Sequence, residues 1–489
     1  MIAATPPRHW QPIVQALEAI VGRNAIISSR EERSVYECDG LASYRELPGL
    51  VVLPQTTEEV VEIVKLCDRL NIPFVARGSG TGLSGGAMPT EDCLLIVTAR
   101  MNRILEVDFE NQRAVVQPGV INAWVTQAAS AEGFYYAPDP SSQIICSIGG
   151  NIAENSGGVH CLKYGVTTNH VLGMKMVLPD GELIEVGSKI AETPGYDLTG
   201  LFVGSEGTLG IATEITLNIV KTPEVVEVLL ADFTSMEAAG ETVADIIAAG
   251  IIPAGMEIMD KLSINAVEDV VATNCYPRDA AAILLVELDG LGVEVKASSD
   301  RVQALCRKNG ARNVIAAKDA EERLRFWKGR KAAFAAAGKL SPNYFVQDGV
   351  IPRTQLVSVL KEIQALSDKF DYRIANVFHA GDGNLHPLIL YDESIPGAFE
   401  KVEELGGEIL KLCVRAGGSI SGEHGIGADK RCYMPEMFSA ADLDTMQWVR
   451  AAFNPKELAN PGKVFPTPRT CGEAAHAHHH GTMEGVDLF

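Results

Sequence analysis

The sequence predicts an α+β protein with more than one domain. Segments with strand-like alternation and segments with a helical apolar stripe follow one another from about residue 50 onwards. A chain of 489 residues exceeds one ordinary hydrophobic core, so two or three packed domains are expected. The composition changes after Thr222-Pro223-Glu224, which marks the main boundary.

The first region opens with a β-α-β unit that ends in a glycine loop. Residues 1–45 are interpreted as a helical lead-in, and residues 50–54 as a buried strand. Thr57 is the expected N-cap of a helix over 58–71, and a strand over 73–77 leads into the loop 78–86. Alternating β-branched residues over 209–220 predict a strand that closes this domain, which we place at residues 46–222.

The second region continues the alternation of strands and helices. Strands are predicted over 225–233 and 280–288, and a helix over 235–249. Ser299 is the expected N-cap of a helical stretch through 302–308. Residues 223–425 are assigned to an α+β domain and residues 426–470 to a helical segment. Residues 471–489, with histidines at 476, 478, 479 and 480, are expected to be a disordered tail.

Composition excludes several classes of protein. The 42 basic and 63 acidic residues give a net charge of −21, which argues against a nucleic-acid partner. Ten cysteines occur without a C-x-x-C pair, which predicts reduced thiols and argues against an iron–sulfur cluster. No stretch reaches the roughly 18 apolar residues of a membrane span, and the N-terminus lacks a secretory pattern, so a cytoplasmic protein is expected.

Glycine-rich loops are the strongest chemical signal. Five glycines in nine residues over 78–86 allow a ligand to approach the backbone, whose N–H groups suit a diphosphate. The pattern is not a P-loop and fits a Rossmann fingerprint poorly. A flexible surface loop is the alternative. Further loops at 138–142, 147–158 and 203–211 favour an extended cofactor wrapped by backbone donors.

These loops resemble the FAD-binding domain of the vanillyl-alcohol oxidase and para-cresol methylhydroxylase superfamily. The match is to the branch of glycolate oxidase flavin subunits, D-lactate dehydrogenases and D-2-hydroxyglutarate dehydrogenases, and it covers roughly residues 45 to 465. It implies a two-part FAD-binding domain of the para-cresol methylhydroxylase type over 46–222. It also implies an α+β substrate (cap) and metal domain over 223–425, and a helical segment that returns to the FAD domain.

The resemblance implies which residues bind FAD. The loop 78–86 would cradle the diphosphate, and the other loops would contact the flavin or the adenosine. His160 and Cys161 follow the 147–158 loop and leave covalent attachment open, although tight non-covalent binding suffices for the chemistry. The implied FAD contacts are Arg77, Gly78, Ser79, Gly80, Thr81, Gly82, Leu83, Ser84, Gly85, Pro138, Asp139, Ser141, Ser142, Gly149, Gly150, Asn151, Asn155, Gly157, Gly158, Glu206, Gly207, Gly210, Ile211 and Asn460.

Two short segments combine histidine, glycine and acidic residues. His379 and His386 flank a glycine-containing turn, so their rings can converge. Glu423 and His424 lie together between glycines in a second segment. Two imidazoles and one carboxylate make an open-sided site for Zn²⁺, Mn²⁺ or Fe²⁺, although a single buried histidine is more often a core residue.

The resemblance assigns roles to these residues. The family motifs H-x-G-D-G-N-x-H and G-E-H-G-x-G are intact, which implies that His379, His386 and Glu423 bind a divalent metal. His424 would be the base that takes the substrate hydroxyl proton, made more acidic by the metal. Arg330 stands at the family's W-x-x-R arginine, which binds the substrate carboxylate. Asp348 matches a further motif with a supporting role.

We therefore expect FAD-dependent oxidation of a small D-2-hydroxy acid. Val346 and Phe334 are apolar where the hydroxyglutarate branch has a lysine and a hydroxyl residue, which favours glycolate or D-lactate. The alternatives are a D-2-hydroxyglutarate or longer-chain enzyme, a flavin-binding electron-transfer subunit, and a metallohydrolase without flavin.

The partners are less narrowly indicated. The sequence is compatible with a quinone, a partner redox protein or oxygen as electron acceptor, and we expect the first two. Such an acceptor would bring the protein to the periphery of a membrane. A homodimer is also compatible with the sequence.

Overall fold

The computed structural model describes residues 9–190 and 194–466, and it confirms the α+β class. Its helices are α1 (Gln11–Val21), α2 (Arg30–Arg33), α3 (Thr57–Leu70), α4 (Asn122–Ala129), α5 (Ile148–Glu154), α6 (Cys161–Tyr164), α7 (Leu198–Phe202), α8 (Met236–Ala248), α9 (Lys261–Val270), α10 (Gly292–Lys308), α11 (Ala320–Ala336), α12 (Leu356–Phe370), α13 (Ala398–Arg415), α14 (Met434–Met437) and α15 (Ala440–Phe453). Its strands are β1 (Ile26–Ile27), β2 (Leu50–Val52), β3 (Phe74–Arg77), β4 (Leu94–Val97), β5 (Ile104–Asp108), β6 (Arg113–Val116), β7 (Phe134–Tyr135), β8 (Val171–Val177), β9 (Leu183–Gly187), β10 (Ile211–Asn218), β11 (Val220–Lys221), β12 (Val225–Phe233), β13 (Gly255–Asp260), β14 (Ala282–Gly290), β15 (Asn313–Ala316), β16 (Asn343–Val346), β17 (Gly349–Val350), β18 (Ile374–His379), β19 (Asn384–Leu385) and β20 (Pro387–Tyr391).

Two larger sheets and the two-stranded sheet β11-β7 form the first half of the molecule. One has the order β1-β2-β4-β3, with β2 and β3 parallel to β4, and the other is the antiparallel sheet β5-β6-β10-β8-β9. The buried stripe of α3 packs on the first sheet, as its helical spacing predicts. The N-cap of α3 is Thr56 and not the predicted Thr57, because the Thr56 hydroxyl accepts the Glu59 N–H.

The second half is a helix–sheet–helix layer around one antiparallel sheet. Its strands run β15-β12-β14-β13-β18-β19-β17, and β16 and β20 extend it beside β18. Helices α8, α10, α12 and α13 pack on one face, while α9 and α11 cover the other. Both faces are therefore buried, so a charged side chain on a central strand needs a partner.

Helix α10 contradicts the prediction that Ser299 is an N-cap. The helix begins at Gly292, and Ser299 continues its buried stripe between Val295 and Val302. The Ser299 hydroxyl donates to the Glu227 carboxylate, which is why a polar residue is tolerated there.

The C-terminal part of the chain returns to the first sheet. The Phe74 N–H donates to Leu458, and the Asn460 N–H donates to Phe74, both over 2.8 Å. Within 426–466, α14, α15 and a 3-10 turn of helix at Arg431–Tyr433 form only part of the segment expected to be helical, and turns and irregular backbone form the rest. The histidine-rich tail lies outside the described residues.

Two further expectations concern the membrane and the cysteines. No helix within 9–190 and 194–466 is long and apolar enough to cross a membrane. Eight of the cysteines are free thiols, as predicted, but Cys432 is disulfide-bonded, which corrects the expectation that all are reduced.

Candidate active site

An open cleft runs along the glycine-rich loops. The loop after β3, the start of α5 and the segment before β10 form its walls, together with the turn that carries Glu423 and His424. The residues proposed from the sequence as FAD contacts that line it are Arg77, Gly78, Ser79, Gly80, Thr81, Gly82, Leu83, Ser141, Ser142, Gly149, Gly150, Asn151, Gly157, Glu206, Gly207, Gly210 and Ile211.

The first glycine loop needs a glycine at its tightest point. Gly80 has φ +67°, and a Cβ there would collide with the guanidinium of Arg77. Arg77 is buried and donates from Nη1 to the Cys38 carbonyl over 2.7 Å. The arginine side chain thus braces the loop, while the backbone of the loop lines the cleft.

The remaining proposed FAD contacts support the loops from outside the cleft lining. Asn460 Nδ2 donates to the Gly86 and Glu206 carbonyls, which ties two loops together. The Asn155 side chain accepts the Thr168 N–H over 2.8 Å. The residues in this group are Ser84, Gly85, Pro138, Asp139, Asn155, Gly158 and Asn460.

Two polar side chains of the cleft wall have no hydrogen-bond partner in the described protein. They are the buried Ser147 Oγ and Glu154 Oε2. Burial raises the pKa of Glu154 well above its ordinary value, and the nearby Glu206 raises it further. Buried polar groups are nearly always satisfied, so these two point to a polar ligand in the cleft. Sequence reasoning missed Glu154, although it lies inside the 147–158 motif.

His379, His386 and Glu423 converge, and their ligand atoms all lie within 4.8 Å of one another. Strand β18 ends at His379, and the turn to β19 and β20 brings His386 back beside it. Glu423 Oε1 lies 3.4 Å from His379 Nε2 and 3.1 Å from His386 Nε2. The buried Nδ1 of His386 has no hydrogen-bond partner. Two imidazoles and a carboxylate in this arrangement are donors suited to a divalent metal.

Asp348 holds the turn that carries Glu423 and His424. The backbone N–H groups of residues 422, 423 and 424 donate to its carboxylate over 3.0, 3.2 and 2.9 Å. Lys430 Nζ donates to it over 3.1 Å. Burial would raise the pKa of Asp348, but Lys430 holds it well below its ordinary value. Asp348 also lies within 4.8 Å of His386 and His424, but its carboxylate is occupied by these donors.

Glu206 holds the other side of the same turn. Its carboxylate accepts the N–H groups of Ile426 and Gly427, both over 2.6 Å. Burial raises the pKa of Glu206 above its ordinary value. Glu206 lines the cleft as the sequence suggested, but its carboxylate is used to join the loop before β10 to the 421–427 turn.

Burial and charge give the two turn residues different protonation states. Burial lowers the pKa of His424 to about 4 against the opposing effect of Asp348, so its imidazole is neutral near neutral pH. Burial would raise the pKa of Glu423, but His379 and His386 hold it well below its ordinary value. A neutral imidazole therefore lies beside an ionised carboxylate, with His424 Nε2 and Glu423 Oε1 3.9 Å apart.

Arg330 is held in a buried ion pair that sequence reasoning missed. Its Nε donates to Glu257 Oε2 over 2.8 Å, and Nη2 lies 2.6 Å from the same oxygen. The other oxygen, Oε1, lies 2.6 Å from His379 Nδ1. Arg330 does not line the cleft. The available signal was Glu257 itself, a charged residue inside the apolar strand β13.

A second histidine cluster joins the two halves of the molecule. His160 Nδ1 lies 2.9 Å from Asp139, and Nε2 lies 2.9 Å from Glu287, which also accepts from Trp327 Nε1 over 2.6 Å. We call these four residues the interdomain clamp. Neither His160 nor Cys161 lines the cleft, and both His160 nitrogens are engaged, which leaves little support for covalent flavin attachment at this histidine.

The chain matches known proteins over nearly its whole length. Residues 48–187 match the FAD binding domain, and residues 222–464 match the C-terminal domain of FAD linked oxidases. The chain is 53% identical over 486 residues to glycolate oxidase subunit GlcD of Escherichia coli (strain K12), covering 99% of this chain and 97% of that protein. It is 33% identical over 435 residues to D-lactate dehydrogenase of Anaerostipes hadrus, covering 87% and 91%.

A solved structure shares the fold at low identity. The structure of p-cresol methylhydroxylase with substrate bound has a TM-score of 0.78 at 16% identity, covering 94% of this chain and 97% of that chain. The likeness confirms the para-cresol methylhydroxylase type of fold predicted from the sequence.

Proposed function

The chain belongs to the family of FAD-linked oxidases, and from this we propose that it oxidises a small D-2-hydroxy acid, glycolate or D-lactate, to the 2-oxo acid. One observation carries the proposal. Glu423 and His424 line the same cleft as the glycine loops, so a proton acceptor faces the space for the cofactor. The FAD domains also exclude the alternative of a metallohydrolase without flavin.

The polar groups in the wall of the cleft suit FAD. The backbone of the loop 78–86 offers N–H groups for a diphosphate, and Ser147 and Glu154 offer unpartnered polar atoms. When bound, FAD accepts the hydride that leaves C2 of the substrate. The protein contributes the loops that orient the cofactor and the buried walls that exclude water.

We propose that His379, His386 and Glu423 hold a divalent metal, Zn²⁺, Mn²⁺ or Fe²⁺. The support is the convergence of three metal-binding atoms within 4.8 Å and the buried Nε2 of His386, which faces Glu423 and has no hydrogen-bond partner in the described protein. When bound, such a metal lowers the pKa of the substrate hydroxyl. His424 would take the hydroxyl proton, which its neutral imidazole can accept near neutral pH. Arg330 is proposed to bind the substrate carboxylate.

An apolar wall beside His386 supports a small substrate. The rings of Phe334 and His386 meet edge to face with centroids 5.8 Å apart. Phe334 packs in one cluster with Val346 and Leu83, and Leu83 also lines the cleft. A second carboxylate placed here would be desolvated without a partner, which disfavours D-2-hydroxyglutarate.

The electron acceptor is proposed to be a quinone or a partner redox protein. The Escherichia coli relative is named as a subunit of glycolate oxidase, which supports transfer to another component. Single cysteines without a C-x-x-C pair offer no iron–sulfur cluster within the chain.

Anaerobic bleaching of the bound flavin tests the proposed reaction. We expect glycolate or D-lactate to bleach it at least about tenfold faster than D-2-hydroxyglutarate, since tenfold corresponds to only ~1.4 kcal/mol of desolvation. L-lactate is the stereochemical control. Fastest bleaching by D-2-hydroxyglutarate, or no bleaching by any 2-hydroxy acid, would contradict the proposal.

Elemental analysis of the same preparation tests whether a divalent metal is bound. Arg330→Met tests the substrate anchor, and it should raise KM strongly while leaving the flavin spectrum intact.

A further inference from the structure

We propose that Glu257 is a positioning residue that couples the metal ligand His379 to the substrate anchor Arg330, an inference that rests on the proposed function. The carboxylate divides its two oxygens between these residues, Oε1 toward His379 Nδ1 at 2.6 Å and Oε2 toward Arg330 Nε at 2.8 Å. One buried side chain thus sets the orientation of both groups.

Strand register puts Glu257 in this position. Strands β13 and β18 are antiparallel neighbours, and Glu257 is paired directly with His379. Glu257 is 1% exposed and Arg330 3% exposed. A carboxylate buried to this degree is costly unless it is paired, and α11 supplies the counter-ion from the face of the sheet that it covers.

The contact with Glu257 determines which nitrogen of His379 can bind a metal. A carboxylate accepts hydrogen bonds, so the short contact places the imidazole proton on Nδ1. Nε2 then faces Glu423, 3.4 Å from its Oε1, and is the nitrogen that would bind the metal. Carboxylate–histidine pairs of this kind fix ring orientation and raise ligand basicity at metal sites.

The same carboxylate selects the edge of Arg330 that remains for a ligand. Glu257 Oε2 occupies the edge formed by Nε and Nη2. A guanidinium carries five N–H donors in a fixed fork, and only Nε of Arg330 makes a hydrogen bond to a described residue, so Nη1 is the end left for a substrate carboxylate. The second oxygen of Glu257 contacts His379, a proposed metal ligand, which links the two groups through one side chain.

The test is Glu257→Gln, measured in two assays. Metal affinity of the FAD-loaded, metal-stripped protein is read by competition with a chromophoric chelator, without turnover. KM and kcat for the better of glycolate and D-lactate are then read at saturating metal. We expect metal affinity to fall about 10–100-fold and KM to rise at saturating metal, because both partners lose their common anchor.

Glu287→Gln is the matched control. Glu287 is also a buried carboxylate on a central strand, and it contacts His160 and Trp327 instead of a proposed ligand. Metal affinity and KM should stay within about twofold of the wild type in this variant. Equal losses in both variants would show that Glu257 acts only on general stability, which overturns the proposal.

Two further outcomes also decide the matter. If Glu257→Gln changes only metal affinity or only KM, the two sites are not coupled through this residue, and the proposal fails. If that variant does not fold, Glu257→Asp keeps the charge, and Arg330→Met should lower metal affinity although Arg330 is no proposed ligand. Unchanged metal affinity in both would overturn the coupling. Failure of the wild type to bind metal or to be reduced by any 2-hydroxy acid would instead count against the proposed function.

Discussion

Two histidines in this protein lie between pairs of carboxylates, and the two arrangements differ in what they leave open. In the interdomain clamp both nitrogens of His160 lie 2.9 Å from a carboxylate. His379 has one short contact, 2.6 Å to Glu257, and one long contact, 3.4 Å to Glu423. Residue types alone therefore do not separate a structural histidine from a proposed ligand.

A third donor makes the difference. His386 lies 3.1 Å from Glu423, and its ring stands edge to face with His379 at 5.2 Å between centroids. In the interdomain clamp the additional group is Trp327, whose indole N–H is a donor and cannot bind a cation. The clamp is thus closed by hydrogen bonds, whereas His379, His386 and Glu423 bring three candidate metal-binding atoms within 4.8 Å of one another. The predictions below test this contrast from the largest expected effect to the smallest.

His424→Asn should retain metal and FAD but slow anaerobic flavin reduction by about 10²–10⁴-fold, the usual contribution of a general base. The measurement is stopped-flow flavin reduction together with elemental analysis. His160→Asn is the control, since His160 lies outside the cleft lining, and it should reduce flavin at the wild-type rate. If His424→Asn lost its metal but was reduced normally once metal was supplied, His424 would be a ligand instead.

Asp348→Asn should lower the free energy of unfolding by about 3–5 kcal/mol, because Lys430 would be buried without its counter-ion. Urea unfolding measures the change. Asp300→Asn removes an exposed pair with Lys296 and should leave the free energy of unfolding nearly unchanged. Similar values for the two variants would mean that Asp348 does not hold the 421–424 turn.

Glu423→Gln should lower metal affinity by more than the roughly 100-fold that loss of a supporting group costs at most, because Glu423 is itself a proposed ligand. Activity should fall with bound metal, and added metal should partly restore both. Asp139→Asn changes a carboxylate beside His160 and should leave metal content unaltered. A Glu423→Gln protein with full metal content would exclude Glu423 as a ligand.

His160→Gln should reduce the free energy of unfolding by about 2 kcal/mol near pH 6, with metal content unchanged. Burial would lower the pKa of His160, but Asp139 and Glu287 raise it well above its ordinary value. The clamp therefore makes its full contribution to stability below about pH 6.5, the pKa of a histidine in the unfolded chain. This contribution is lost as pH rises through the pKa of His160 in the folded protein. The difference between variant and wild type should shrink as pH rises through the folded pKa of His160. A difference that grows with pH would mean that His160 is neutral in the folded protein.

The sequence alone was most informative where a local pattern has a single physical meaning. The β-branched run of β12 is a strand with the predicted bounds, and the glycine loop after β3 lines the cleft, because periodicity and missing side chains act locally. The two histidine motifs also stood out, since glycine-flanked histidines beside an acid are rarely needed for packing alone.

Errors arose where a tertiary contact outweighs local propensity. Ser299 has the residue type of an N-cap, but its hydroxyl meets Glu227 from β12, and the buried stripe extends the helix past it. Local pattern also did not indicate that the Glu206 carboxylate accepts the backbone N–H groups of residues 426 and 427, although Glu206 does line the cleft. Both partners are far away in sequence, so spacing could not reveal them.

The sequence by itself determined the fold class, the family, the cofactor class and the set of candidate ligands, because these depend on patterns within short segments. Only the tertiary structure decided how the charges are shared. Strand register placed Glu257 opposite His379, and the packing of α11 on the sheet brought Arg330 to the same carboxylate. The packing of the two domains placed His160 in a separate clamp between them. The physical reason is that a buried charge must be matched by whichever partner the packing brings within hydrogen-bond distance, and packing joins residues that the chain keeps apart.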